Sequence, residues 1–356
     1  MINNSVKKIV LFLYAEAMGY TLATVNSLVE EGLEVYLVHW DNKKLTPFEV
    51  NNIPNVHVIN RSETSVLDLL SLATNISPDI TYISGWQDKD YMKIARFLKK
   101  NNKKVVVGFD DQWKGSLKQK LAALLGYFGY FYMYYSHAWV SGPAQFEYAR
   151  RIGFKKKEII FDLLSADIDL FHSAFKSSIN IKKKKYPHQF LFVGRFEKIK
   201  GVDILLQAWT QIKDHRKDWT LHFVGNGSLK SLIDESDNVL VSDFLQPNSL
   251  VKVVDNAGCF VLPSMHEPWG LVIHEFAAAG LPLISSEVVG ANTTFLIQGL
   301  NGYAFKHNNI EDLANAMLKI IHSSDDSLIK FSIESHQLSY RISSKTSARN
   351  FLSILD

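Results

Sequence analysis

Two α/β domains, each a doubly wound parallel sheet, are what this sequence predicts. Three observations carry the expectation. Short apolar runs of strand length alternate with amphipathic helical stretches, the scheme is run through twice, and a lysine run closed by proline stands between the two halves. A chain of 356 residues is long enough to build both domains.

In the first half, Lys8 to Tyr14 reads as a strand and Thr21 to Glu31 as a helix closed by Gly32. Glu34 to His39, Val56 to Asn60, Ile80 to Ser84 and Lys104 to Phe109 follow as strands, the last two separated by a helix from Asp90 to Asn101. In the second half, Phe190 to Val193, Thr220 to Val224, Val239 to Val241, Ala257 to Leu262 and Leu283 to Ser285 read as strands. Val202 to Ile212 and Ile310 to Ile321 read as helices between and after them. Ser173 to Asn180 shows no clear periodicity, and the charge run Lys182 to Lys185 before Pro187 has the composition of a linker. The expected division is therefore a first domain over 1–172, a linker over 173–188 and a second domain over 189–330. A helical tail over 331–356 is expected to pack back toward the first domain.

Composition narrows the function classes. Hydrophobic residues make up 47% of the chain and charged residues 21%, as in globular proteins with a packed core. The single cysteine, Cys259, lies in an apolar run and reads as a small buried hydrophobe; one cysteine builds no intrachain disulfide, which suits a reducing cytoplasm. The apolar run Ile9 to Tyr14 is too short for a signal peptide's core or a membrane span. Net charge is +3, with lysine clusters at 114–120, 155–157 and 182–185, but no nucleic-acid recognition motif accompanies them. Nucleic acid is not expected as a partner.

The most informative stretch is Phe260 to Ser286, FVLPSMHEPWGLVIHEFAAAGLPLISS. It reads as a buried strand, a tight loop, a helix and a second buried strand. Glu267 falls on the loop and Glu275 about one turn inside the helix. A helix N-terminus attracts anions through its free N–H groups and dipole. Two carboxylates placed there suit hydroxyl groups beside an anion rather than the anion itself, and a nucleotide-sugar has that pattern. Phe192-Val-Gly194-Arg195 followed by Lys200-Gly201 brings a guanidinium and an ammonium to another strand end, where they could neutralise a diphosphate. Gly225-Asn-Gly227 follows a third strand and is also readable as a turn.

Together, FVGRFEKIKGVDILLQAW, LHFVGNGSL and the Phe260 to Ser286 stretch resemble the C-terminal domain of retaining GT-B glycosyltransferases of family 4. The resemblance is specific over about Phe190 to Ile321, continues through Gly290 and Asn301-Gly302, and is weaker in the first half, where Ser165-Ala-Asp-Ile-Asp-Leu-Phe171 resembles the family's asparagine-glycine-x-aspartate segment without its glycine. It implies a GT-B fold and a role for each matching position. Arg195 and Lys200 would hold the donor diphosphate, with Gly194 and Gly225 beside them. Glu275 would bind ribose hydroxyls, and Glu267 would face the transferred sugar. Backbone N–H groups of Trp269, Gly270 and Leu271 would cap phosphate or sugar, and Phe244 and Leu245 would line the base pocket.

The first half departs from that pattern. The family's glycine pair is replaced by Ala15-Glu-Ala-Met-Gly19-Tyr20, in which Gly19 alone could let backbone approach phosphate. The family's histidine is missing from Gly108-Phe-Asp110-Asp111, leaving Asp110 or Asp111 to position donor or acceptor, or simply to cap a helix. Asp88-Lys-Asp90 and Asp167-Ile-Asp169 lack the strand-to-loop setting of a metal site, so no metal or other cofactor is expected. Residues 113–137, WKGSLKQKLAALLGYFGYFYMYYSH, set lysines before an aromatic-rich apolar segment. Two readings stay open for it: a core-facing helix, or a helix resting among lipid headgroups.

The expected function is transfer of a sugar from a nucleotide-diphosphate donor, UDP-linked in preference to GDP-linked, to a hydroxyl of a glycan or polyprenyl-linked acceptor with retained configuration. Glu267, Arg195, Lys200 and Asp110 are the residues expected to carry it. The setting expected is bacterial surface polysaccharide synthesis, O-antigen or capsule, in the cytoplasm or at the inner face of its membrane. A nucleotide-sugar epimerase and a non-catalytic nucleotide-sugar-binding subunit are the alternative readings.

Overall fold

The computed structural model describes residues 7–42, 53–234 and 236–355. The chain forms two compact units, Met1–Ser165 with Ile342–Asp356, and Ala166–Arg341.

The first unit is built on seven parallel strands: β1 (Ile9–Tyr14), β2 (Glu34–His39), β3 (Val56–Asn60), β4 (Ile80–Ser84), β5 (Lys104–Phe109), β6 (His137–Val140) and β7 (Ile159–Ile160). Their spatial order is β3-β2-β1-β4-β5-β6-β7. The helices are α1 (Gly19–Glu30), α2 (Val66–Ile76), α3 (Lys89–Lys100), α4 (Leu117–Tyr127) and α5 (Pro143–Arg151). Strand β1, with sequence IVLFLY, is almost wholly buried, as a central parallel strand covered on both faces must be. Strand order reverses between β1 and β4, and such a reversal opens a crevice at the carboxyl ends of the strands.

The second unit repeats this plan. It begins with α6 (Ile168–Lys182) and carries β8 (Gln189–Val193), α7 (Val202–Gln211), β9 (Thr220–Val224), α8 (Lys230–Asp234), β10 (Val239–Ser242) and α9 (Pro247–Val253). It continues with β11 (Cys259–Leu262), α10 (Leu271–Ala278), β12 (Leu283–Ser286), α11 (Asn292–Phe295), β13 (Gly302–Phe305), α12 (Ile310–Ile321) and α13 (Asp325–Ser339). The strand order β10-β9-β8-β11-β12-β13 reverses between β8 and β11. Cys259 is fully buried, and burial pushes its thiol pKa up, as befits a packed small side chain.

The structure corrects the linker expected over 173–188. Residues 168–182 are helical and belong to the second unit, with Asp167 capping α6 through the Leu170 N–H. The apolar periodicity of α6 is weak because its buried face is only partly apolar: besides Ile168, Phe171 and Ala174, it buries His172, Ser178 and Lys182. Lys182 is 2% exposed and donates to the Ala257 carbonyl at 2.8 Å, so part of the supposed charge run is core. Burial lowers its pKa to about 7. Tyr186 is likewise buried and donates to the Gly258 carbonyl at 2.7 Å.

The tail over 331–356 is also divided. Helix α13 belongs to the second unit, where it packs on α10 and α6. Only the last helix, α14 (Ser344–Leu352), joins the first unit, where it packs on α1. Its Phe351 is fully buried, stacked on Trp139 at 4.8 Å between ring centroids and lying 5.7 Å from Phe12. Among the described residues no helix is long and apolar enough to cross a membrane.

Phe351→Ala removes a ring from the first unit's core and should cost ~3–5 kcal/mol of that unit's stability. Urea unfolding followed by tryptophan fluorescence checks this; a loss below ~1 kcal/mol would mean that α14 is dispensable to the unit.

Candidate functional site

In the second unit, two loops meet at the strand reversal. One leaves β8 and carries Arg195 to Lys200; the other leaves β11 and carries Pro263 to Gly270. The Met265 N–H donates to the Ile199 carbonyl at 2.9 Å, fastening one loop to the other. Across this seam Lys200 Nζ and the Glu267 carboxylate form an ion pair, with the two side chains only 20% and 12% exposed. Ser264 Oγ donates to the same Glu267 oxygen at 3.2 Å. The Glu267 backbone is set by the Gly290 N–H, which donates to its carbonyl at 3.2 Å. A pair this sheltered from water and salt is worth more than an exposed one.

The Glu267 loop leads directly into α10. Gly270, the residue before the helix, has φ +87°, and a Cβ there would lie 2.8 Å from Glu267 Cγ, so only glycine fits. No side chain caps this end. Of the first-turn N–H groups, that of Ile273 donates to the Gly270 carbonyl at 2.9 Å; the helix dipole at such a terminus attracts an anion. Arg195 is exposed, and among the described residues its guanidinium makes no hydrogen bond or ion pair. Its loop is held from the other side by Glu197, which accepts from Ser228 N–H at 3.1 Å and Ser228 Oγ at 2.7 Å.

Glu275 lies on α10, one turn in, as expected from the sequence. Its side chain is half-buried, and removal of water from around it pushes the carboxyl up from 4.5 to about 7, with the Asp167 carboxylate adding repulsion. The neighbouring His274 is a structural residue. It is fully buried, its Nδ1 accepts from the Ala166 N–H at 3.1 Å, and its Nε2 bonds the Ser339 carbonyl at 2.9 Å.

The remaining expected positions divide. Trp269 is buried, with its carbonyl accepting from Ala291 N–H at 2.8 Å, and Leu271 opens α10. Phe244 and Leu245 follow β10 and are half-buried. The N–H groups of Gly194 and Gly225 extend the parallel ladder, donating to Val224 and Ser242 carbonyls at 3.0 and 2.9 Å. They are therefore engaged by protein rather than aimed at a ligand.

Gly19 and Asp110 lie in the first unit. Gly19 opens α1, and Asp110 follows β5 at the edge of a cavity of about 470 Å³ at the strand reversal. Sequence reasoning missed the rest of that cavity, whose lining includes Tyr14, Tyr20, Trp40, Tyr82 and Trp86. Tyr14 ends β1, Trp40 follows β2 and Trp86 lies just beyond β4; aromatic residues at the ends of strands were the available signal. The aspartate triplets hold structure. Asp88 caps α3 and accepts from the Trp40 indole N–H at 2.9 Å, while Asp90 pairs with Arg61 at 2.9 Å and Lys93 at 2.8 Å. Asp167 caps α6.

Residues 174–336 match the family model described as glycosyl transferases group 1. This stretch is a glycosyl transferases group 1 domain. It contains both loops, the Lys200–Glu267 pair and Glu275. A glycogen synthase of Mycobacterium tuberculosis is 32% identical over 142 residues, covering 38% of this chain and 34% of that protein. A capsular polysaccharide biosynthesis glycosyltransferase, CapM of Staphylococcus aureus, is 30% identical over 145 residues, covering 38% of this chain and 37% of that one. The chain thus spans about a third of the length of these curated relatives. Across the whole chain the fold is that of the Anabaena protein HepE, solved with UDP and glucose, at TM-score 0.71 and 14% identity over 98% of this chain and 99% of that one. The two-unit α/β architecture is the expected GT-B fold, with the group 1 domain as its second unit.

Because the folded Glu275 carboxyl has the higher pKa, folding is favoured most below pH 4.5, and that contribution is lost as pH rises through about 7. Between pH 4.5 and about pH 7.5 the protein should therefore lose thermal stability that Glu275→Gln retains. Parallel melting curves for the two proteins over this range would refute the assignment.

Proposed function

We propose that this chain transfers a sugar from a nucleotide-diphosphate sugar to an acceptor hydroxyl, with the anomeric configuration retained. The observation carrying the reading is the sheltered Lys200–Glu267 pair at the strand reversal, beside the uncapped N-terminus of α10. In this reading the diphosphate lies against the α10 terminus, with Arg195 and Lys200 as counter-charges. Glu275 accepts from the ribose hydroxyls and Glu267 faces the transferred sugar.

When the bond from anomeric carbon to phosphate oxygen breaks, negative charge grows on the diphosphate, where cations and helix N–H groups stabilise it. No side chain is assigned as nucleophile. The acceptor attacks from the face the diphosphate is leaving, and the departing phosphate takes the acceptor proton. Arg195, Lys200 and the α10 terminus supply the positive charge, so the reading asks for no metal and no cofactor. UDP is favoured as the nucleotide because HepE was solved with UDP and glucose. Surface polysaccharide synthesis is supported by the likeness to CapM.

A lipid-linked acceptor at the membrane is supported by α4. Its large residues point outward: Leu117, Leu121, Leu124 and Leu125 are exposed, as are Tyr127 at its end and Phe128 just beyond. The inward face is small, with Ala122 against the core and Gly126 packed on the Ile152 backbone. Lys118 and Lys120 flank the leucine face in the helical projection. Outward leucines between lysines suit a bilayer carrying anionic headgroups.

Arg195→Ala should leave the fold intact and lower transfer from the nucleotide-sugar by roughly 10²–10³, the usual cost of losing one such charge-stabilising group. Wild-type turnover would sink the donor assignment; a new nucleotide-sugar without transfer would point to an epimerase. Leu121→Glu with Leu124→Glu should abolish co-sedimentation with phosphatidylglycerol vesicles. Unchanged sedimentation, or none by the wild type, would remove α4 from the membrane.

A further inference from the structure

We propose that the cavity in the first unit selects a non-acidic sugar ring as acceptor and turns away rings bearing a carboxylate or phosphate. The inference rests on the glycosyl-transfer reading above and names the substrate class for its acceptor side.

The cavity lies at the carboxyl ends of β1, β4 and β5, where the first sheet reverses its strand order. At about 470 Å³ it falls within the range of small-molecule sites. Its lining includes the aromatic residues Tyr14, Tyr20, Trp40, Tyr82 and Trp86, and the C–H faces of a pyranose ring pack on aromatic rings through dispersion. Trp40 is fixed in that lining from two directions. Its indole N–H donates to Asp88 at 2.9 Å, and the Arg61 guanidinium lies 4.8 Å from its ring centroid.

The charged groups lining the cavity have one sign. Asp88, Asp110 and Asp111 line it, and among the described residues no Lys, Arg or His does. Arg61, beside Trp40, is 6% exposed, paired with Asp90 and bonded to the Thr64 carbonyl, so its charge is engaged within the wall. Asp88 is taken up by Trp40 and by the first-turn N–H groups of α3. Asp110 and Asp111 are exposed at the end of β5, and the Asp110 charge reaches the buried hydroxyls of Tyr14, Tyr20 and Tyr82. Carboxylates accept hydrogen bonds from sugar hydroxyls, but a second anion brought beside them is repelled.

Ser84 lines the cavity at the end of β4, and among the described residues its Oγ is buried without a hydrogen-bond partner. A buried hydroxyl left unpaired is costly, and this one lies beneath the lining rather than on its surface.

The test compares methyl glucosides, galactosides and mannosides with the corresponding methyl uronides, which replace one CH₂OH by a carboxylate. Binding to the full chain is followed by ligand-observed NMR at low ionic strength. In at least one series the neutral glycoside should bind at least tenfold more tightly than its uronide. Added salt should narrow the gap, and Asp110→Asn with Asp111→Asn should bring the two within about twofold. Equal affinities in the wild type, a gap that survives the double substitution, or no glycoside binding at all would overturn the proposal. The donor reading is scored separately, by UDP-sugar binding to the wild type and to Arg195→Ala. Its failure leaves the glycoside comparison readable, and the reverse also holds.

Discussion

The second unit's chemistry depends on one contact, the seam between the loop after β8 and the loop after β11. A parallel sheet brings every strand's carboxyl end to one edge, but only where the strand order reverses do adjacent strands send their connections to opposite faces. The Lys200–Glu267 pair and the Met265-to-Ile199 hydrogen bond close that junction. Gly201 lets the seam close fully: a Cβ there would lie 2.0 Å from the Pro263 carbonyl oxygen. With the loops locked, α10 starts at a fixed point, and its first-turn N–H groups, Glu267 and Glu275 keep fixed relations to one another.

The two units use the same topology for opposite electrostatics. In the second, the exposed Arg195 stands at the reversal beside the paired Lys200 and the start of α10, the place the proposed reading gives to a diphosphate. In the first, the reversal holds aromatic rings with aspartates at the end of β5, suited to hydroxyls and apolar ring faces. Fold alone does not decide such a difference, because function is set by the side chains placed at the site. Here the placement matches a reaction in which one partner carries the charge and the other supplies a neutral hydroxyl.

Much of this was legible from residues alone. Strands β1, β4, β5, β8, β9 and β11 announce themselves as short apolar runs because both faces of a parallel strand are covered. The Glu267 and Glu275 placement follows from a loop opening into a helix, and the group 1 motifs cover that region. The rest was hidden for stated reasons. Helix α6 buries His172, Ser178 and Lys182, so apolar periodicity understates it. Helix α4 inverts the usual pattern, turning leucines outward and Ala122 and Gly126 inward, which its sequence cannot distinguish from a core helix. The first unit's cavity draws on Tyr14, Trp40, Tyr82 and Trp86, which only the fold brings together.

The most direct test of the central claim is a crystal structure of the protein with a UDP-sugar. The diphosphate should lie against the first turn of α10, between Gly270 and Arg195, with Lys200 in contact with phosphate and the ribose on Glu275. A nucleotide bound at another strand end, or a diphosphate making no contact with the α10 terminus, would contradict the account.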